Sequence, residues 1–311
     1  MDAILEPLQL AFFVRALIAS AMVGVVCAVV GTYVVLRGVA FIGDAIAHAG
    51  FPGVVAAYLL GVPFYLGAAV AAVATALAIG AVTRRAGIRQ DTAIGVLFAG
   101  TFAFGVFLFS TIQGYVADLF SFLFGNVLAI GPSDLVALLA LGLGVIAVVA
   151  ILWKELLYAT FDPLGAAASG IPVDALELLF LALVALTIVV SLQAVGIILV
   201  VAMLVTPAAT AQLLSVRFAR MMLLAAGIGI ASAVAGLYLS FWLNAASGAT
   251  IVLVQTGMFA VALALGPRGL LAQRRSTTTR DAVPADDAVP GDAAGASIEA
   301  GPGPGVRGAP R

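Results

Sequence analysis

Hydrophobic positions in this chain form long continuous runs, not the one-face or alternating patterns of a water-soluble domain. Nine runs of 16 to 23 residues are separated by charges, prolines or glycines: Ala16–Leu36, Ala40–Leu60, Phe64–Val82, Thr92–Ile112, Leu135–Trp153, Leu176–Leu192, Gly196–Leu214, Met221–Leu243 and Thr250–Leu265. A helix satisfies its own backbone hydrogen bonds, so apolar runs of roughly 17 to 25 residues are typical of membrane-spanning helices. The pattern predicts an all-α, polytopic membrane helix bundle with about nine transmembrane helices, and the short last run and short connections leave eight to ten possible.

Composition supports lipid as the solvent. The 311 residues are 64% hydrophobic and 9% charged, too few charges to cover a soluble surface of this size. The net charge of -1 excludes a basic nucleic-acid-binding surface, so no nucleic acid partner is expected. A single cysteine, Cys27, excludes an intrachain disulfide framework.

The basic residues predict the orientation, because cytoplasmic loops collect Lys and Arg. With nine spans and an outside N-terminus, seven basic residues fall inside, namely Arg37, Arg84, Arg85, Arg89, Lys154, Arg217 and Arg220, and Arg15 alone falls outside. Residues 1–267 are therefore expected to form the transmembrane domain. The segment 268–311, rich in Thr, Asp, Ala, Pro and Gly, is expected to be a disordered cytoplasmic tail. The apolar stretch 119–130 is too short to cross and predicts an interfacial or re-entrant element on the outer side.

Ionisable groups inside a membrane are costly, which makes each one a functional candidate. Asp44 and His48 are four residues apart, so a helix would place them on one face. A carboxylate and an imidazole suit Zn(II), Mn(II) or Fe(II), and a second copy of the chain would raise the ligand count to four. Alternatively, the two residues hydrogen-bond each other, or Asp44 pairs with Arg37.

Two further segments have distinctive local chemistry. Asp162 can cap a short helix that starts at Pro163 and Leu164 and ends at Gly170, which predicts a docking element in a cytoplasmic loop or a simple interfacial helix. Thr206-Pro207 interrupts an apolar run, where the proline bends the helix as a gating hinge or as a packing feature.

The sequence contains no motif for binding a nucleotide such as ATP. A nucleotide-binding loop needs a glycine-rich turn followed by Lys and Ser or Thr, and the one lysine, Lys154, stands in Leu-Trp-Lys-Glu. The single histidine, His48, is already paired by its spacing with Asp44, which leaves no histidine for a Ser-His-Asp or Cys-His catalytic set. ATP-driven transport would therefore need a separate subunit, and the chain itself is predicted not to be an enzyme.

An ordered set of motifs resembles one family. The motifs are Val35-Leu36-Arg37, Gly43-Asp44-Ala45 with His48, Pro52-Gly53, Asp91-Thr92-Ala93-Ile94-Gly95, Leu123-Phe124-Gly125-Asn126, Phe161-Asp162-Pro163 with Gly170, Leu204 to Ala211, and Gly236-Leu237 with Ser240. Together they resemble the integral-membrane permeases of zinc-, manganese- and iron-type ABC importers over nearly all of residues 10–268. One departure is Asn244 and Ala246, where the family often has Asp and Pro; this bears on docking of the binding protein.

The resemblance implies a homodimeric permease in the cell membrane that works by alternating access. Its implied partners are a second copy, cytoplasmic ATPase subunits that carry the ATP, an extracytoplasmic metal-binding protein and membrane lipid. The resemblance implies that Asp44 and His48 ligate the transported ion and that the segment from Phe161 to Gly170 is the coupling helix. No permanently bound cofactor is expected. The rival functions are a permease for a metal chelate such as a siderophore or cobalamin, and an ion-coupled secondary carrier.

Overall fold

The structure, a computed structural model, describes residues 6–112 and 130–266, without the side chains of Gln193 and Ala194. Within these ranges every regular element is helical, and nine stretches are long and apolar enough to cross a membrane. The predicted all-α bundle with about nine spans is therefore confirmed for the described part of the chain. The tail 268–311 and all but the last residue of the stretch 119–130 lie outside the described residues.

Ten α-helices follow a short 3-10 turn at Pro7–Gln9. They are α1 (Ala11–Leu36), α2 (Ile42–Leu60), α3 (Phe64–Ala86), α4 (Gln90–Ser110), α5 (Pro132–Ile151), α6 (Trp153–Phe161), α7 (Pro163–Ala168), α8 (Val173–Leu214), α9 (Phe218–Leu243) and α10 (Ser247–Leu265).

Several helices extend beyond the predicted apolar runs, because hydropathy marks the part of a helix suited to lipid and not its hydrogen-bonded ends. Helix α1 begins at Ala11 instead of Ala16. Helix α3 continues to Ala86, so Arg84 and Arg85 lie in its last turn and not in a loop. Cations there interact favourably with the negative end of the helix dipole.

Helix α8 contains two spans joined by a sharp break. Its backbone is helical except at Gly196, where φ is 79° and ψ is 168°, a conformation that favours glycine. The ring of Tyr33 lies 6.0 Å from Phe180 and 4.9 Å from Phe218, which stand near the start of α8 and just beyond its end. The chain must therefore turn back at the break, which confirms separate spans at Val173–Leu192 and Val195–Leu214.

Ring contacts also distinguish the two ends of the bundle. At one end Tyr33 contacts Trp153, the first residue of α6. At the opposite end Phe13 contacts Tyr238 and Phe241 at 5.2 and 5.7 Å, joining the start of α1 to the end of α9. The end with Tyr33 and Trp153 is called the α7 end, because α6 leads directly into α7 there.

Close helix packing at the centre depends on small residues. Helices α1 and α2 and the first span of α8 are more than half buried. Where α2 crosses α3, a Cβ added at Gly53 would collide with the backbone oxygen of Gly67. Small residues of this kind let two helices approach closely without lipid between them. They hold α2, which carries the predicted metal ligands, firmly against its neighbour.

Asn244, which stands where the resembled family often has Asp, is suited to the local backbone. This residue ends α9 with φ 51°, in the left-handed region. Asn and Asp adopt that conformation more readily than other non-glycine residues, so either is suited to this helix end. The turn is completed by the Ser240 hydroxyl, which donates to the carbonyl oxygen of Ala245 at 2.6 Å.

Candidate metal pathway and coupling segment

Asp44 and His48 lie on one face of α2, as their spacing predicts. Asp44 is in the first turn of the helix, where the positive end of the helix dipole stabilises a carboxylate. Its Oδ1 atom is 3.5 Å from Nε2 of His48. The side chains are 43% and 31% exposed, respectively, so this chain alone does not enclose them.

The 3.5 Å separation suits two ligands of one ion. Ligand atoms about 2.1 Å from a tetrahedrally coordinated ion stand roughly 3.4 Å apart. It is also at the outer limit of a hydrogen bond, so a direct contact between the two side chains is weak at best. The alternative pairing of Asp44 with Arg37 is not observed, because the Arg37 guanidinium lies against Thr160 and Phe180.

Two phenylalanines of α4 orient the imidazole. The ring centroids of Phe98 and Phe102 lie 5.4 and 5.6 Å from that of His48, with interplanar angles of 73° and 90°. The edge contacts restrict rotation of the imidazole and shield one side of it from water. Sequence reasoning missed these residues: their four-residue spacing places them on one face of α4, but no local signal relates that face to His48.

A pocket of about 200 Å³ opens beside Asp44. It is lined by Phe41, Asp44, Ala45, Asp91, Ile94, Gly95 and Phe98. Asp91 is the second carboxylate there, and its Oδ2 atom is 3.7 Å from Nη2 of Arg89. Among the described residues no group of three or more His, Cys, Asp or Glu side chains could hold an ion. The described residues therefore supply two candidate ligands here, Asp44 and His48, and not a complete coordination set.

The predicted short helix is present as α7. The Asp162 carboxylate accepts a hydrogen bond from the backbone N–H of Gly165 at 2.9 Å, and Pro163 occupies the first turn. Gly170 has φ 83° and follows the helix end. The cap, the proline and the glycine thus act as their sequence order predicts.

The surface of α7 is apolar and exposed. Leu164 is 84% exposed and Phe161, directly before the cap, is 65% exposed. Sequence reasoning missed Gly165, where an added Cβ would collide with the Asp162 carboxylate and come within 2.9 Å of the Tyr158 hydroxyl. This helix is therefore closely supported from one side and presents apolar side chains on the other.

Thr206 and Pro207 lie within the second span of α8. The helix continues through Pro207, and the residue with non-helical angles is Gly196, eleven positions earlier. Proline removes one backbone hydrogen bond there. The Thr210 hydroxyl donates to the Thr206 carbonyl at 2.7 Å and adds a bond one turn further on. A gating role for Thr206 and Pro207 stays a prediction.

These features define a multi-pass membrane protein of the permease class, located in the cell membrane. The chain belongs to the ABC 3 transport family, whose model matches residues 9–266.

The matches to named relatives extend over most of this chain and most of each relative. The chain is 46% identical over 261 residues to the manganese transport system membrane protein MntC of Halalkalibacterium halodurans, covering 84% of this chain and 89% of that protein. It is 40% identical over 258 residues to the chelated iron transport system membrane protein YfeD of Yersinia pestis, covering 83% and 86%. A solved structure, PsaBC from Streptococcus pneumoniae in complex with Fab, matches with a TM-score of 0.77, 36% identity and coverage of 88% and 98%.

Proposed function

We propose that this chain is the permease subunit of an ATP-driven importer of divalent transition-metal ions, Mn, Fe or Zn, that works by alternating access. Relatives named for manganese and iron transport support the cargo class. The observation that carries the proposal is the Asp44–His48 pair, with its donor atoms 3.5 Å apart on one face of α2. Mixed oxygen and nitrogen donors suit these ions.

A homodimer would complete the metal site. The Asp44–His48 pair of one chain offers one carboxylate and one imidazole, both partly exposed. Two copies meeting with these faces together would supply two of each, a full tetrahedral set. Because an ion in a pathway must leave as well as bind, exposed ligands shared between two movable subunits suit transport better than a closed structural site.

Free ions fit the geometry better than chelates. The pocket beside Asp44 is about 200 Å³, below the roughly 300 to 1,000 Å³ typical of sites for small organic ligands. A siderophore or cobalamin would also make little use of a bare carboxylate–imidazole pair. An ion-coupled secondary carrier is disfavoured by membership of the ABC 3 transport family.

Helix α7 would dock on the ATPase. Leu164 and Phe161 are exposed apolar residues in a connection between two spans, where a groove on a partner would bury them. ATP binding and hydrolysis then belong to that separate subunit, and this chain performs no catalysis. Thr206 and Pro207 would act in gating, because a proline within a span weakens the local hydrogen-bond ladder.

The orientation follows from the charges. The α7 end carries Arg37, Lys154 and Arg217 and would face the cytoplasm. The N-terminus would lie outside, where a metal-binding protein delivers the ion, and the tail 268–311 would be cytoplasmic. Membrane lipid surrounds the bundle, and no nucleic acid partner is proposed.

Metal uptake by the reconstituted complex tests the function. The permease, its ATPase and its binding protein are placed in liposomes, and ATP-dependent uptake of radioactive manganese is measured. Asp44→Ala and His48→Ala should each abolish uptake while the complex still assembles. Asp174→Ala is the matched control, because Asp174 is also a first-turn aspartate and its side chain is 86% exposed.

Two outcomes would contradict the proposal. Normal uptake in both Asp44 and His48 variants would remove their role as ligands. Uptake of an iron siderophore or cobalamin, with no uptake of free ions, would establish the chelate alternative.

A further inference from the structure

Arg37 stands at a rigid junction between α1 and the metal-bearing helix α2. It caps the end of α1, Gly38 follows with φ 71°, and the N–H of Val39 donates to the Val34 carbonyl at 3.2 Å. With the Gly38 N–H bonded to the Val35 carbonyl, this is a Schellman motif, in which the chain beyond the helix is held to its last turn. The first residues of the link 37–41 are therefore held to the end of α1.

The Arg37 side chain contacts both chain segments that flank α7. Its Nε–H donates to Oγ1 of Thr160 at 3.1 Å, two residues before the α7 cap. Its guanidinium carbon lies 4.2 Å from the ring centroid of Phe180, on the first span of α8 beyond α7. The Thr160 hydroxyl donates in turn to the Leu156 carbonyl at 2.6 Å, so its orientation toward Arg37 is fixed.

Burial and the charge of Glu177 act on the Arg37 guanidinium in opposite directions. Burial lowers the pKa of Arg37 from its ordinary value, and the charge of Glu177 opposes that change. An arginine remains charged under such conditions, and its planar head can donate to a hydroxyl while stacking on a ring. A lysine has no such planar head and cannot reproduce both contacts.

The link 37–41 also borders two separate pockets. A pocket of about 270 Å³ is lined by residues that include Arg37, Val39, Gln90 and Pro163, the first residue of α7. The pocket beside Asp44 is lined by residues that include Phe41 and Asp91, which follow Val39 and Gln90 along the same two segments. The link and the start of α4 therefore stand between α7 and the metal ligand Asp44.

We propose that Arg37 is a positioning residue that transmits movement of α7 to the metal-bearing helix α2. Displacement of α7 moves Thr160 and the start of α8. Arg37 follows them through its contacts with Thr160 and Phe180. The Schellman motif then transmits the shift to the link before Asp44. The inference rests on the proposed function and adds to it the residue that joins the coupling segment to the metal ligands.

The test measures the number of manganese ions imported per ATP hydrolysed by the full reconstituted complex. Arg37→Lys and Thr160→Val should each lower this ratio by about tenfold, the effect of losing one charge-assisted hydrogen bond. Thr160→Ser keeps the hydroxyl and should restore the ratio. Adding Thr160→Val to Arg37→Lys should cause no further loss, because the Thr160 hydroxyl acts through the Arg37 guanidinium.

Arg220→Lys is the control, because Arg220 is exposed at the start of α9 and is not part of the proposed junction. Ratios at the wild-type value in both Arg37→Lys and Thr160→Val would overturn the inference. So would a loss in Arg37→Lys alone, or equal losses in Thr160→Ser and Thr160→Val. Absence of metal uptake by the wild-type complex would instead contradict the proposed function, so the two failures are distinguishable.

Discussion

The cap of α7 offers the sharpest test of the coupling segment. Asp162→Ala removes the carboxylate that accepts the 2.9 Å hydrogen bond from Gly165 N–H. Replacing an N-cap aspartate by alanine costs about 1 kcal/mol, which is roughly a fivefold loss in the population of the local helix. Because α7 has six residues and stands at the surface, the cost should remain local and leave the nine spans folded.

The assay compares ATPase copurification with the permease, and metal uptake, for Asp162→Ala and Asp162→Asn. Asparagine is an equally good N-cap and should preserve copurification and uptake, whereas alanine should reduce both quantities by up to about fivefold. The melting temperature in detergent should change little in either variant. Wild-type copurification and uptake in Asp162→Ala would refute the reasoning that a preformed α7 docks on the ATPase.

Three further predictions concern the spans, a helix end and the tail. Gly53→Ala should lower the melting temperature in detergent, because overpacking against Gly67 costs about 1 to 3 kcal/mol. Gly227→Ala should not lower it, because no atom lies within 4 Å of a Cβ added there. Asn244→Val should destabilise the end of α9 by about 1 kcal/mol in the same melting assay, and Asn244→Gly should be tolerated. Deletion of 276–311 should leave manganese uptake unchanged, and a large loss would show that the tail takes part in transport.

Much of the fold follows from sequence because lipid imposes simple rules. All nine apolar runs correspond to helices long enough to span, and α2 begins two residues beyond its predicted start. The ends of the helices were less predictable than the spans. Helix α1 extends to Ala11 and α3 includes Arg84 and Arg85, since helical hydrogen bonding continues beyond the apolar segment.

The candidate site was predictable in its local parts. Asp44 with His48 depends on helical spacing, and the α7 boundaries depend on a cap, a proline and a glycine within one short segment. The contacts of His48 with Phe98 and Phe102 were not predictable, because they join helices more than forty residues apart in sequence.

By itself, the sequence determined that this protein is a membrane helix bundle, where its spans fall, and which ionisable pair shares a helical face. Hydropathy and helical periodicity are local properties, so they can be read along one chain. Only the tertiary structure decided that the break between the two spans of α8 is concentrated at one non-helical residue, Gly196, and that Arg37 meets Thr160 and Phe180. Those contacts depend on how helices distant in sequence pack, and packing is set by side-chain shape and close approach rather than by hydropathy.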